Sequence, residues 1–328
     1  MKYNVIYQNG GSTKSSSKTT SINPLLTDTL DFEDLKNLIK DHKLDSNLHI
    51  PDEVWIENNK ENSYTIPNDE TWEKIEVGNF KLETETIDTT IKINCYKYSN
   101  SSVVSSEESN KQILFLPGFS DNSFLWTLSR ISKFKDFIIQ QGFSDIFIFD
   151  FTAIGGNKNY AGIKGLEKGH NFQKNALEEE KSGIKYGIDE MYKKIAFGLK
   201  GLIESRNDLF TNFSIAGRSA GGGLSIHLVL TFGLVVNGLN IACPGFNYNS
   251  LLENENLKIF IEEKGNRNLP IRLCHSFPDT KVNIEESNKL SKLLGDKFVN
   301  FVYYSVSKIY DNEEINHRFQ EILLFNLV

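Results

Sequence analysis

The chain has 328 residues, of which 39% are hydrophobic, with a formal net charge of −7 and three cysteines. That is enough apolar material for one large α/β domain plus an extension, which excludes a disordered or fibrous chain. The acidic balance, with no Lys/Arg cluster long enough to follow a phosphate backbone, argues against a nucleic-acid partner.

Cys95, Cys243 and Cys274 have no C-x-x-C spacing, so they give neither a disulfide framework nor a zinc-site pattern. A reducing, cytoplasmic compartment is the expectation. Residues 1–10 lack the basic and apolar regions of a signal peptide, and no apolar run reaches about 18 residues, so no integral membrane segment is expected.

In chain order, residues 1–70 are expected to be an N-terminal extension. Its Gly/Ser/Thr/Lys-rich stretch 9–20 reads as a flexible tail. One amphipathic helix is expected near 31–43, with Leu35, Leu38 and Ile39 at helical spacing. Residues 51–67 read as irregular.

The main domain is expected over 71–328. It opens with β patterns from Trp72 to Tyr96, followed by a Ser/Glu-rich loop at 100–110. Then strands and helices alternate: strand 112–116, helix 124–141, strand 145–151, helix 185–204, strand 213–216, a buried helix at 224–232, strands 236–243 and 271–275, helix 284–294, strand 298–304 and a closing helix 318–327. Because parallel crossovers need about a dozen residues, this order implies a mainly parallel central sheet with helices on both faces. Functional residues are then sought at the carboxyl ends of the strands.

One stretch has the chemistry of a nucleophile. Phe213 to Ala216 lead into Gly217-Arg218-Ser219-Ala220-Gly221, which matches the G-x-S-x-G elbow. A strand that turns into a helix within about two residues forces the serine into a strained backbone, and glycines two positions either side remove the Cβ atoms that would collide. The bland alternative is a Gly-rich strand–helix turn with an ordinary serine. The preceding strand and the apolar segment after it favour the elbow.

Serine needs a base, and an acid must hold the base. Of six histidines, His42 and His49 precede the sheet, His170 lies in the long 152–183 stretch, His227 follows the elbow within a helix, and His275 ends a strand, where a packed core histidine is expected. His317 follows the last strand and precedes the closing helix. Asp279 stands just past strand 271–275, in His275-Ser276-Phe277-Pro278-Asp279. Singly, Asp279 serves equally well as a turn cap and His317 as a surface residue; the order Ser219, Asp279, His317 selects them together.

From about Ile113 to the C-terminus, the chain resembles the α/β-hydrolase superfamily. Leu116-Pro117-Gly118-Phe119 resembles the family's His-Gly-x oxyanion loop, Gly217 to Gly221 its elbow, and His275 to Asp279 its His-Gly-x-x-Asp acid motif. His317 falls where the family's histidine falls. Pro117 replaces the usual histidine and Ser276 the usual glycine. The oxyanion donors expected are the backbone N–H groups of Phe119 and Ala220.

The function this implies is a serine hydrolase cleaving a carboxylic ester or related acyl compound, with a small-molecule acyl substrate and no cofactor or metal. A thioesterase or acyltransferase with the same triad, or a non-catalytic binding protein on this fold, are the alternatives. Phe119, Phe124, Trp126 and Phe246 are candidate walls of an acyl pocket, with plain core packing the commoner role of such aromatics, and residues 152–183 read equally as a mobile cover over the site or as a solvated insertion. The oligomeric state has no signature.

Overall fold

In the computed structural model, the structure describes residues 4–9, 72–83, 88–99, 111–118, 123–151, 154, 187–253, 257, 268–276, 279, 282–298 and 300–307. The expected helices at 31–43 and 318–327, the segment 51–67, the loop 100–110 and nearly all of the 152–183 stretch lie outside them.

The elements are β1 (Asn4–Asn9), β2 (Trp72–Glu83), β3 (Asp88–Ser99), β4 (Lys111–Leu116), α1 (Ser123–Gln140), β5 (Phe143–Asp150), α2 (Gly187–Ser205), β6 (Phe213–Arg218), α3 (Ala220–Ile226), β7 (Leu239–Ala242), α4 (Tyr248–Leu252), β8 (Ile271–Ser276), α5 (Ile284–Lys297) and β9 (Phe301–Ser307). They form one nine-stranded sheet in the order β1-β9-β8-β7-β6-β4-β5-β3-β2. From β5 to β9 across the sheet all pairings are parallel. Antiparallel strands flank this block: β3 against β5, β2 against β3, and β1 against β9.

The hydrophobic pattern explains why the sheet is covered on both faces. Along β4, Ile113 and Phe115 belong to one core cluster while Leu114 and Leu116 belong to the other; along β5, Ile146 and Ile148 separate in the same way from Phe147 and Phe149. Successive side chains leave a strand on opposite faces, so strands that are apolar at every position must be buried twice. Phe124, Leu128, Ile131 and Ile138 of α1 cover the first face. Residues of α2, α3 and α5, including Ile195, Leu199, Leu224 and Leu290, cover the second.

Several boundaries differ from the sequence reading. The strand expected over 236–243 is only Leu239–Ala242, and that expected over 298–304 runs Phe301–Ser307, because α5 continues to Lys297. The helix expected at 224–232 begins at Ala220 and changes to a π-helical turn over His227–Thr231. β1 and the short α4 carry no clear sequence signal.

Candidate active site

Strand order places the carboxyl ends of β4, β6, β7 and β8 side by side, and each is followed by a residue of chemical interest. Pro117 follows β4, Ser219 follows β6, Cys243 follows β7, and Asp279 lies three residues past β8.

Ser219 has φ 54° and ψ −121°, a conformation that costs a non-glycine residue about 1–3 kcal/mol. Its backbone is fixed on both sides. The Ser219 N–H donates to the Ala242 carbonyl at 2.9 Å, and its own carbonyl accepts from the N–H groups of Gly223 at 3.0 Å and Gly245 at 2.9 Å. The strain is thus held by both neighbouring segments, as the elbow motif requires. Ser219 is half-buried, while Arg218 and Ala220 on either side are buried.

The glycines allow the close approach. A Cβ on Gly221 would lie 2.0 Å from the Leu116 carbonyl oxygen and 2.5 Å from that of Pro117, and one on Gly217 would lie 2.1 Å from Ser225 Oγ. Further along α3, a Cβ on Gly223 would meet the Gly245 oxygen at 2.1 Å. Helix α3 is therefore pressed against the backbone that follows β4 on one side and β7 on the other. Gly221→Ala is expected to destabilise the protein by about 3 kcal/mol, because the obstruction is main chain and cannot rotate away. A urea titration of the variant, showing a midpoint within error of the unsubstituted chain, would refute this packing argument.

Asp279 is buried, and its Oδ1 accepts from the Val282 N–H at 3.1 Å. Its Oδ2 lies 3.6 Å from His275 Nε2. His275 is itself buried, with Nδ1 2.8 Å from Ser287 Oγ and Nε2 3.3 Å from the Val282 carbonyl oxygen. Both groups near Nε2 accept hydrogen bonds, so the ring carries a proton there, and in the neutral ring Nδ1 accepts from the Ser287 hydroxyl. His275 is the packed histidine the sequence suggests, but it also neighbours Asp279, which strand-end position alone does not reveal.

His317 and Phe119 lie outside the described residues. Ala220, the other expected oxyanion donor, is the first residue of α3. Among the candidate pocket walls, Phe124 packs in the core with its ring 5.2 Å from that of Tyr96, and Phe246 joins the core on the other face. Both belong to the core clusters; Phe119 and the Trp126 side chain lie outside the described residues.

A second polar cluster lies behind the elbow helix, and sequence reasoning missed it. His227, in the helix after the elbow, points its Nε2 at Asp189 Oδ1 of α2 at 3.0 Å, and its Nδ1 lies 3.1 Å from Thr231 Oγ1. Asp189 also accepts from the Ser250 hydroxyl of α4 and from the Asn247 N–H at 3.3 Å. Lys193 reaches Ser250 Oγ at 3.0 Å. Burial alone would raise the Asp189 pKa; the hydrogen bond and charge of His227, with the bonds from Ser250 and Asn247, overcome it and hold the carboxyl below its ordinary range. His227 and Asp189 are 38 positions apart, so no local spacing could have paired them.

This cluster ties three helices together by satisfied buried polar groups. Since the folded-state pKa of Asp189 is depressed, its stabilisation is complete above the unfolded carboxylate pKa of about 3.9 and is lost as pH falls through the lower folded value. Asp189→Ala, which strands His227, is expected to cost about 3–5 kcal/mol at neutral pH, with a smaller loss in strong acid. Urea unfolding from pH 3 to pH 7 measures both; a loss that did not shrink in acid would contradict the assignment.

No family profile matches the chain, and no curated protein sequence does. Solved structures do resemble it. A thermostable esterase aligns at 13% identity and a TM-score of 0.42, covering 71% of this chain, which spans 55% of the esterase. The BES protein from Bacillus cereus aligns at 15% identity and a TM-score of 0.47 over 78% of this chain and 95% of its own. The Pyrococcus furiosus esterase Pf2001 aligns at 15% identity and a TM-score of 0.42 over 77% and 88%. No helix among the described residues is long and apolar enough to cross a membrane. By its strand order, its parallel block and the strained serine between β6 and α3, the chain has the α/β-hydrolase fold.

Proposed function

We propose that the protein is a serine hydrolase that cleaves a carboxylic ester or related acyl compound through an acyl-enzyme on Ser219. The observation that carries this reading is the strained, doubly anchored backbone of Ser219 at the carboxyl end of a central parallel strand. Such strain persists where surrounding structure holds it, and it presents a hydroxyl at the sheet's functional edge. In this reading Ser219 attacks the acyl carbonyl, His317 takes the hydroxyl proton and returns it to the leaving group, and Asp279 orients the imidazole and stabilises its charged form. The N–H groups of Phe119 and Ala220 receive the developing oxyanion, each worth about 3 kcal/mol of transition-state stabilisation. Water attacking the acyl-enzyme then releases the acid.

The burial of Asp279 supports its role. A carboxylate shielded from water interacts more strongly with an imidazolium than an exposed one does. Labelling with a fluorophosphonate, followed by hydrolysis of aryl esters of increasing chain length, tests the proposal. Stoichiometric labelling at Ser219 with ester turnover is the expected result. No labelling of the folded protein would leave a binding protein on this fold as the better reading, and turnover of thioesters in preference to oxygen esters would identify a thioesterase.

A further inference from the structure

Cys243 is the residue next to the elbow that neither the motif nor the proposed triad uses. It follows β7 with φ 40°, in the left-handed region, and its N–H donates to the Cys274 carbonyl at 2.8 Å. Its side chain joins those of His275 and Asp279. The Cys243 sulfur, a His275 ring nitrogen and an Asp279 oxygen all lie within 4.8 Å of one another, and all three residues are buried.

We propose that Cys243, His275 and Asp279 form a binding site for a borderline-soft divalent cation, with Zn²⁺ as the type ion, and that occupancy withholds Asp279 from the reaction. The first half stands on the cluster itself. The second rests on the serine-hydrolase reading of Asp279.

Bonds of about 2.0 to 2.3 Å to sulfur, nitrogen and oxygen put the ligands of a tetrahedral ion roughly 3.3 to 3.7 Å apart. Asp279 Oδ2 and His275 Nε2 are already at 3.6 Å. The remaining contraction is within side-chain motion at the ends of two strands.

Charge favours the same ion. A thiolate and a carboxylate balance two positive charges, so the occupied site is neutral where it is buried, which removes most of the cost of desolvating an ion. The sulfur ligand selects Zn²⁺ and its relatives over Mg²⁺ or Ca²⁺, which take oxygen.

The outer contacts fit too. Asp279 Oδ1 keeps its bond from the Val282 N–H while Oδ2, already 3.6 Å from His275 Nε2, turns to the ion. When the ion takes His275 Nε2, the ring proton moves to Nδ1 and is donated to Ser287 Oγ, whose hydroxyl can accept as readily as it donates. The Cys243 thiol loses one proton to solvent as the metal–sulfur bond forms, and nothing is oxidised or reduced. Three protein ligands leave a fourth position for water, as in open zinc sites. The other two cysteines, Cys95 and Cys274, sit in the two hydrophobic clusters and join no such group among the described residues.

The test uses the full chain after chelator treatment. Zn²⁺ is titrated by equilibrium dialysis, and Co²⁺ serves as a spectroscopic stand-in whose thiolate charge-transfer band reports a sulfur ligand. About one ion per chain and a clear thiolate band are expected, with binding weakened at least about a hundredfold in Cys243→Ala. Circular dichroism checks that the variant is folded, and Cys243→Ser replaces it if it is not. Absence of the thiolate band in the unsubstituted protein, or Zn²⁺ affinity unaltered in the folded Cys243 variant, overturns the site.

For the second half, Zn²⁺ should lower aryl-ester turnover at least about tenfold, reversibly with EDTA, while the Cys243 variant keeps its metal-free rate when Zn²⁺ is added. Equal inhibition of the variant, or saturation of the site without inhibition, overturns that half. Ser219→Ala should bind the metal normally. A protein that binds Zn²⁺ with a thiolate band yet hydrolyses no ester keeps the site and loses the hydrolase reading.

Discussion

Replacing Ser219 by alanine is expected to abolish fluorophosphonate labelling and to lower aryl-ester hydrolysis by about 10⁵-fold, since loss of the nucleophile in a triad removes nearly all of the chemistry. The fold should survive. Alanine tolerates φ 54° no better and no worse than serine, so stability should change by less than about 0.5 kcal/mol. Glycine at the same position has no Cβ to strain, and Ser219→Gly should be more stable than Ser219→Ala by about 1 kcal/mol. Mass spectrometry of the labelled protein and urea titrations of both variants read these outcomes. Labelling that persists in Ser219→Ala puts the nucleophile elsewhere, while equal stability of the two variants would mean that the elbow stores no strain.

Asp279→Asn and His317→Ala are each expected to lower kcat by about 10⁴-fold, and the double variant to be scarcely worse than either, because members of a triad act as a unit. Asparagine cannot stabilise an imidazolium and favours the wrong tautomer, though it can still accept from the Val282 N–H at Oδ1. His275→Ala should behave differently. It removes the partner of a buried Ser287 hydroxyl and should cost about 1–3 kcal/mol in stability. It leaves His317 in place, so the folded fraction should retain the pH–rate profile of the unsubstituted protein. A folded His275→Ala with no turnover, beside an active His317→Ala, would make His275 the base and remove His317 from the mechanism.

Much of the parallel block was legible because its strands are buried on both faces and bounded by turns, so β4, β5, β6 and β8 read as short apolar runs with little ambiguity. The elbow was legible for another reason. Its glycines are required because a Cβ at Gly217 or Gly221 would lie 2.0 to 2.5 Å from main-chain atoms, a demand that leaves a fixed spacing in the sequence.

What could not be read depends on contacts between distant positions. The Asp189–His227 pair and the grouping of Cys243 with His275 and Asp279 arise only once β7 and β8 are neighbours and α2 packs behind α3. Cysteine spacing in the sequence has no zinc motif because such motifs describe local loops, whereas this cluster is assembled across two strands. Proximity to a carboxyl end likewise does not say which way a ring points: Phe124 and Phe246 are buried in the core clusters.

The pairing of β1 with β9 has a further consequence, for the order in which the molecule is completed. Partners such as Asn4 and Ser307 are separated by roughly 300 residues of chain, among the longest loops this fold can close, so their pairing is expected to form late, on a template already made by the other strands. Until then the outer edge of β9 is an unpaired strand, able to recruit a β1 from another molecule as readily as its own. β1 is thus expected to act as a late clasp at the edge of the sheet. At high concentration during refolding, the misassembled species expected from this geometry is a strand-exchanged dimer joined through that edge, with both elbows intact.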